Sequence, residues 1–213
     1  MKAILIPVKE FHRSKERLAR HYSEDERAAL SAAMCEDFFA VVAQVHGVDR
    51  VYVVSKEYRA LSLAKRLNWH IISEQEQISE SRSVDDASHI CAGEGVTALL
   101  RLPIDLPLAN PLDIESIFAA TERARCAILV PSRDGTGTNA LLRSPPTLFR
   151  SRFGPNSFAL HRAEAERADA QLLVIRNEHI AWDVDEPDDL VGLSSLAIGP
   201  ALADWFSQYG KRK

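Results

Sequence analysis

Met1-Lys-Ala-Ile-Leu-Ile-Pro-Val8 opens the chain, and its centre, Ala3 to Val8, is an almost unbroken apolar run. A run so short and so uniformly apolar predicts a strand covered on both faces, the pattern of a parallel sheet. A charged loop follows it. Ser23 and Glu26 then form a capping box, and Leu30, Met34, Phe38, Val41, Val42 and Val45 recur at helical spacing up to Gly47. Val51 to Val54 and His70 to Ile72 read as two further buried strands, separated by a helix through Leu61, Ala64 and Leu67. The chain therefore begins β-α-β-α-β, which predicts an α/β fold.

The alternation continues. A helix through Val84 to Cys91 leads to a strand at Thr97 to Leu102, then a helix at Ile114 to Ala120 and a strand at Ala127 to Val130. In the last third, Asn139 to Leu142, Leu172 to Ile175 and the residues around Trp182 read as strands of a mixed or flanking sheet. Helices are expected near Ser157 to Arg167 and Asp188 to Leu196. There are no repeats, linkers or low-complexity segments, and 213 residues suit one well-packed domain.

Composition narrows the function classes. With 46% apolar and 26% charged residues the chain reads as an ordinary globular protein. A net charge of −4, and no long basic run beyond the short Lys211-Arg-Lys213 tail, argue against broad nucleic-acid binding. That tail reads as a solvated terminus. Cys35, Cys91 and Cys126 are odd in number and widely spaced, so they suggest neither a disulfide framework nor a zinc pattern. The first apolar run ends at Lys9, too short for a signal-peptide core and without a small-residue cleavage site. The expectation is a cytoplasmic protein without a membrane segment.

Four groups of residues carry candidate chemistry. Asp134-Gly-Thr-Gly-Thr-Asn139 and Phe153-Gly-Pro-Asn-Ser-Phe158 crowd backbone amides and hydroxyls where an anion could sit; the bland reading of the first is a turn between strands. Asp105 lies just past the strand ending at Leu102, where ligands bind in open α/β sheets; the bland reading is a surface turn between prolines. Asp183 and Asp185 are two residues apart, so on an extended segment both side chains emerge on one face, about 6–7 Å apart. With Asp105 they would supply the hard oxygen donors that magnesium prefers. Asp185 also precedes Glu186-Pro187-Asp188, which resembles a helix opening, so it equally reads as a cap. Lys9, Arg13, Lys15 and Arg17 form a basic loop after the first strand, where nucleotide-binding folds meet phosphates. The first glycine is Gly47, so no glycine-rich phosphate loop is present there.

Taken together, Ile6-Pro-Val-Lys9 with Ser14-Lys-x-Arg-Leu18, Leu102-Pro-x-Asp-Leu-Pro107, Asp134-Gly-Thr-Gly-Thr-Asn139, Phe153-Gly-Pro-x-Ser-Phe158 with His161, and Asp183-x-Asp-x-Pro-x-Asp-Leu190 resemble the guanylyltransferases of deazaflavin coenzyme biosynthesis. The matches fall in family order from Ile6 to Leu190. The resemblance implies a compact single-domain nucleotidyltransferase fold of the GT-A-like, Rossmann-related kind, with a mixed, mostly parallel sheet flanked by helices. It implies an enzyme that joins GTP to 2-phospholactate, phosphoenolpyruvate or 3-phosphoglycerate, releases pyrophosphate and passes its product to a downstream transferase. Asp105, Asp183 and Asp185 then correspond to Mg2+ ligands, and Thr138, Gly154 and Ser157 to contacts with the phospho-acid. Lys9, Lys15 and Arg17 would offset charge on the triphosphate. Ser157 also reads as the N-cap of the helix carrying His161, a role compatible with holding an anion.

The segment Ser83 to Cys91 departs from the family pattern, carrying Asp85, Asp86, His89 and Cys91; the readings are a substrate-selecting role or, for the His-x-Cys pair, which is a poor metal motif, two helix positions lining the core or the pocket wall. The alternatives are a molybdenum-cofactor or sugar nucleotidyltransferase, against which the missing glycine-rich first loop counts, or a non-catalytic GTP-binding protein. The acid used, the readout of guanine and any homo-oligomer stay open at this stage.

Overall fold

The computed structural model describes residues 1–121 and 124–210, so the basic tail at 211–213 lies outside the described residues. Seven strands form one sheet in the order β3-β2-β1-β4-β6-β5-β7. The strands are β1 (Lys2–Val8), β2 (Arg50–Ser55), β3 (His70–Ser73), β4 (Ala98–Arg101), β5 (Cys126–Pro131), β6 (Thr138–Ser144) and β7 (Gln171–Val174). Among the described residues only β6 runs against its neighbours, β4 and β5.

The opening apolar run takes the place its composition predicts. β1 lies between β2 and β4, parallel to both. Its alternate residues enter two different cores. Ile4, Ile6 and Val8 pack with Phe38, Phe39 and Val42 of α1 (Glu24–Val42) and with Ile114 and Phe118 of α4 (Pro111–Ala119). Ala3 and Leu5 pack on the other face with Val84, Ala87 and Cys91 of α3 (Glu80–Gly93). A strand covered on both sides needs apolar residues at every position, which is why the run does not alternate with polar residues.

Local signals account for most helix starts. Ser23 and Glu26 cap α1 reciprocally, the Glu26 carboxylate accepting from the Ser23 amide at 2.8 Å. Asn110 caps α4, with Pro111 in its first turn. α2 (Tyr58–Arg66) and α5 (Ser157–Arg167) fall where their spacing predicts. Among the described residues no helix is long and apolar enough to cross a membrane.

Four expectations are corrected. β3 is an edge strand that pairs with β2 alone, and Ile71 is 39% exposed, so it is not buried on both faces. The residues around Trp182 form no strand: the backbone acceptors of Ile180 and Ala181 are taken by the Asn139 side-chain amide, at 3.0 and 3.1 Å. Without a ladder partner the segment stays irregular. α6 (Pro187–Leu193) is capped by Glu186, not Asp185, and α5 by Asn156, which leaves Ser157 as its first helical residue.

The sequence reading has no helix at the C-terminal end, yet α7 (Pro200–Tyr209) packs on α1. Its cap is tertiary rather than local: Asp37 of α1 accepts from the amides of Ala201 and Leu202 at 3.0 and 2.8 Å. A Cβ at Gly199 would stand 2.2 Å from the Asp37 carboxyl carbon, so the contact requires glycine. Trp205, 3% exposed, joins Leu18, Leu30 and Met34 and donates its indole N–H to Glu26 O at 3.0 Å. Trp205→Ala should therefore cost roughly 3–5 kcal/mol of stability by denaturant unfolding. A loss under about 1 kcal/mol would show that α7 is not part of the core.

Candidate active site

The chain leaves β1 toward β2 and β3 on one side, then returns to lay β4 on the other. The β1–β4 boundary is thus a switch point, where a crevice opens beyond the carboxyl ends of the two strands. Antiparallel β6 pairs Leu141 with Arg101 of β4, which carries Thr138 and Asn139 at its start to the same end of the sheet. Separate stretches of sequence converge there for this reason.

Lys15 stands at the centre. Its ammonium donates to Asp105 Oδ2 at 2.5 Å, to the Val184 carbonyl at 2.5 Å and to Asp185 Oδ1 at 3.2 Å. One cation therefore joins the loop after β1, the loop after β4 and the segment before α6. Lys15 adopts a left-handed backbone (φ 54°), a conformation costing roughly 1–2 kcal/mol for a residue with a Cβ. The three contacts hold it there. Arg17 lies outside them, exposed, within 3.5 Å of Asp185 and 3.3 Å of Glu186. Lys9 is exposed on the rim of the crevice.

Burial works against both charges of the Lys15–Asp105 pair, but mutual attraction wins: the lysine pKa is raised and the Asp105 pKa lowered. Asp183 behaves in the opposite way. Burial, reinforced by the negative charge of Asp105, pushes its carboxyl up to about 6 against a 3.2 Å hydrogen bond from Asn139. Among the described residues no cationic side chain pairs with Asp183. A buried carboxylate beside a second carboxylate is an environment that a cation would relieve.

The sequence motifs rich in hydroxyls and amides form the facing wall. In the turn between β5 and β6, Asp134 accepts from Ser132 Oγ at 2.5 Å, Thr136 N at 3.0 Å and Thr136 Oγ1 at 2.7 Å. These bonds hold its carboxyl down at about 2. Asp134 and Thr136 are consumed in building the turn, and a Cβ at Gly137 would stand 2.8 Å from Ser132 Oγ. Thr138 is left at the crevice end of β6. Gly154, at φ 122°, and Ser157, at the start of α5, close the wall.

Two adjoining cavities result. One, of about 610 Å³, is lined by Lys9, Lys15, Gln77 and Ser83 among others. The other, of about 520 Å³, is lined by Arg17, Thr138, Gly154, Ser157, Asp183 and Asp185 among others. Glu80, Arg101, Pro103 and Asp105 line both. All nine residues singled out in the sequence thus border one crevice. Arg101 was missed, although an arginine inside Leu-Leu-Arg-Leu is a visible anomaly in an apolar strand. It is 5% exposed, pairs with Glu80, lies 4.1 Å over the Phe153 ring, and its Nε has no hydrogen-bond partner among the described residues. His89 and Cys91 are elsewhere: His89 is exposed on α3, and Cys91 is core, its thiol pushed up to about 12 by burial.

The donor chemistry at the seam suits a hard cation such as Mg2+. As arranged, Lys15 holds one oxygen each of Asp105 and Asp185, and among the described residues no three His, Cys, Asp or Glu side chains are already gathered as a metal cage. The residues fit an ion that brings its own water and phosphate ligands and needs few carboxylates.

A family profile described as "Guanylyl transferase CofC like" matches residues 1–196. The chain is 33% identical over 193 residues to a phosphoenolpyruvate guanylyltransferase of Conexibacter woesei, covering 90% of this chain and 86% of that protein. It is 32% identical over 191 residues to a protein of the same name from Rubrobacter xylanophilus, covering 90% and 92%. A 2-phospho-L-lactate guanylyltransferase of Methanobrevibacter smithii is 27% identical over 186 residues, covering 87% and 80%. Among solved structures, a Desulfovibrio desulfuricans G20 protein described as a nucleotide-diphospho-sugar transferase superposes with a TM-score of 0.75 at 19% identity, covering 98% and 97%. A CMP:2-keto-3-deoxy-manno-octonic acid synthetase complexed with CTP does so with 0.60 at 12%, covering 90% and 96%. The fold is that of the nucleotidyltransferases, and the chain belongs to the CofC-like guanylyltransferase family.

Proposed function

We propose that this protein transfers a guanylyl group from GTP to a small phosphorylated acid, phosphoenolpyruvate being the first to test, and releases pyrophosphate. The supporting observation is the pairing of two cavities across a shared seam of Asp105 and Arg101. Lys9 on the rim of one cavity and the exposed Arg17 beside Asp185 suit a triphosphate lying along the seam, with the charge of Lys15 committed to Asp105 and Asp185. Neutral hydroxyls and amides around Thr138, Gly154 and Ser157 on the other suit a smaller anion. Family membership favours this reading over a molybdenum-cofactor or sugar nucleotidyltransferase and over a non-catalytic GTP-binding protein.

The reaction asks little covalent chemistry of the protein. A phosphate oxygen of the acid is already anionic and attacks the α-phosphorus in line, so no general base is required. Asp105, Asp183 and Asp185 would hold Mg2+, which would neutralise charge on the reacting phosphates. Asn139 orients the Asp183 carboxylate, and Arg101, fixed on β4, presents a cation at the seam. Lys15 keeps Asp105 ionised and in place.

Mixing the protein with Mg2+, GTP and phosphoenolpyruvate, 2-phospholactate or 3-phosphoglycerate should release pyrophosphate with at least one acid and stop on chelation. No release with any of the three would overturn the proposal. Asp183→Asn and Asp185→Asn should each lower turnover by at least roughly 10–100-fold at low Mg2+, the loss seen when even an outer partner of a metal ligand is removed. Melting temperature should hold, because Glu186 rather than Asp185 caps α6. Normal turnover at low Mg2+ in either variant would remove that carboxylate from the metal site.

Lys15→Met and Arg17→Ala should separate by stability. The first leaves Asp105 without its buried partner and should cost roughly 3–5 kcal/mol in denaturant unfolding. The second removes an exposed group and should leave stability within about 1 kcal/mol while raising the GTP concentration needed for half-maximal rate. An unchanged GTP requirement in Arg17→Ala would place the triphosphate elsewhere.

A further inference from the structure

His161 is wholly buried on α5, behind Thr138 and outside the wall of the crevice. Both ring nitrogens are engaged. The backbone amide of Arg152 donates to Nε2 at 2.8 Å, and Nδ1 lies 3.0 Å from Thr138 Oγ1. A backbone N–H can only donate, so Nε2 must present its lone pair and cannot carry a proton. A neutral imidazole then has its proton on Nδ1, and the doubly protonated ring is excluded by the same contact. Nδ1–H must therefore donate to Thr138 Oγ1.

This fixes the hydroxyl. With an accepting lone pair of Oγ1 committed to His161, the hydroxyl proton is directed away from the ring. Among the described residues Oγ1 has no other partner, while Thr138 borders the smaller cavity. The ring is clamped for this role: the Phe153 ring meets it edge-on at 4.8 Å and Phe149 flanks it at 6.5 Å. Burial, then the charges of Arg101, Arg143 and Arg152, lower its pKa to about 3, so the neutral form persists throughout the neutral range.

We infer that the relay Arg152 N–H to His161 to Thr138 turns the Thr138 hydroxyl proton away from the ring and orients it as a donor toward the phosphorylated acid, with His161 as a positioning residue for acid binding. This rests on the guanylyltransferase reading for the identity of the anion; the tautomer does not. A serine or threonine hydroxyl can donate or accept, and an anion pocket gains from one whose proton is already oriented outward. The relay excludes the rotamer that points the proton at the ring before the anion arrives.

Two measurements test it. Nitrogen-15 NMR of the free protein should show His161 as the Nδ1–H tautomer with Nε2 unprotonated; an Nε2–H tautomer would overturn the relay whatever the substrate. Binding of phosphoenolpyruvate should then be measured, with Mg2+ and a non-hydrolysable GTP analogue present, to wild type, Thr138→Val, His161→Phe, His161→Asn and the Thr138→Val/His161→Phe pair. His161→Phe should weaken acid binding about tenfold and leave analogue binding unchanged, as expected for a hydrogen bond to a charged group. His161→Asn, which keeps an N–H near the Nδ1 position, should recover most of it. The double variant should bind no more weakly than Thr138→Val alone. Additive losses, or equal losses in the Phe and Asn variants, would reduce His161 to packing and overturn the relay alone. Absence of phosphoenolpyruvate binding to wild type would overturn the relay's function together with the reading it rests on.

Discussion

The ion pair between Lys15 and Asp105, extended to the Val184 carbonyl and Asp185, is the constraint on which the crevice depends. It joins segments separated by 90 and 170 residues in the chain. None of the three is held there by regular structure: Lys15 precedes a short 3-10 turn in a left-handed conformation, Asp105 follows a strand, and Asp185 lies in an irregular stretch. A cation with three donors, partly shielded from water, can satisfy three acceptors at once. The cost is desolvation of the Lys15–Asp105 pair, which is offset while both charges are present. Such a knot specifies an arrangement more than it adds to stability.

A second consequence is chemical. By committing its charge to Asp105 and Asp185, Lys15 leaves Asp183 as the acidic group at the seam without a cationic side chain among the described residues. Protein charges are thus distributed unevenly: Asp105 is stabilised as an ion, while burial and the charge of Asp105 push the Asp183 carboxyl up to about 6. Sites that handle phosphates and hard cations are built from such contrasts, because an incoming charge supplies what the fold withholds.

The opposite wall obeys a different rule, complete satisfaction of local polar groups. Asp134, Ser132 and Thr136 spend their donors and acceptors on one another to build a tight turn. Gly137 makes room for Ser132 Oγ, and Gly135 supplies the left-handed backbone at φ 76°. The turn's function is to deliver Thr138 at the start of β6, where the antiparallel pairing with β4 brings it beside Arg101. Within this six-residue motif Asp134 and Thr136 hold the turn, and Thr138 keeps its hydroxyl for the crevice.

How far the amino-acid sequence determined this protein follows from which signals are local. Apolar runs at Ala3 to Val8 and Ala127 to Val130, and the capping box at Ser23, depend on neighbours along the chain, so the α/β alternation and most elements were legible directly. The anomalous arginine in β4 was equally visible and went unread. Other features depend on partners remote in sequence. α7 is capped by Asp37 of α1, and the stretch at Trp182 is kept from pairing as a strand by the Asn139 amide; the Glu186–Asp189 capping box that opens α6 is, by contrast, a local signal that went unread. The nine residues picked from separate motifs border one crevice only because β4 crosses to the far side of β1 and β6 runs antiparallel beside it. Residue type carried the chemistry, and topology decided which groups could meet: a hydrogen bond or ion pair between distant segments leaves no periodicity in the chain.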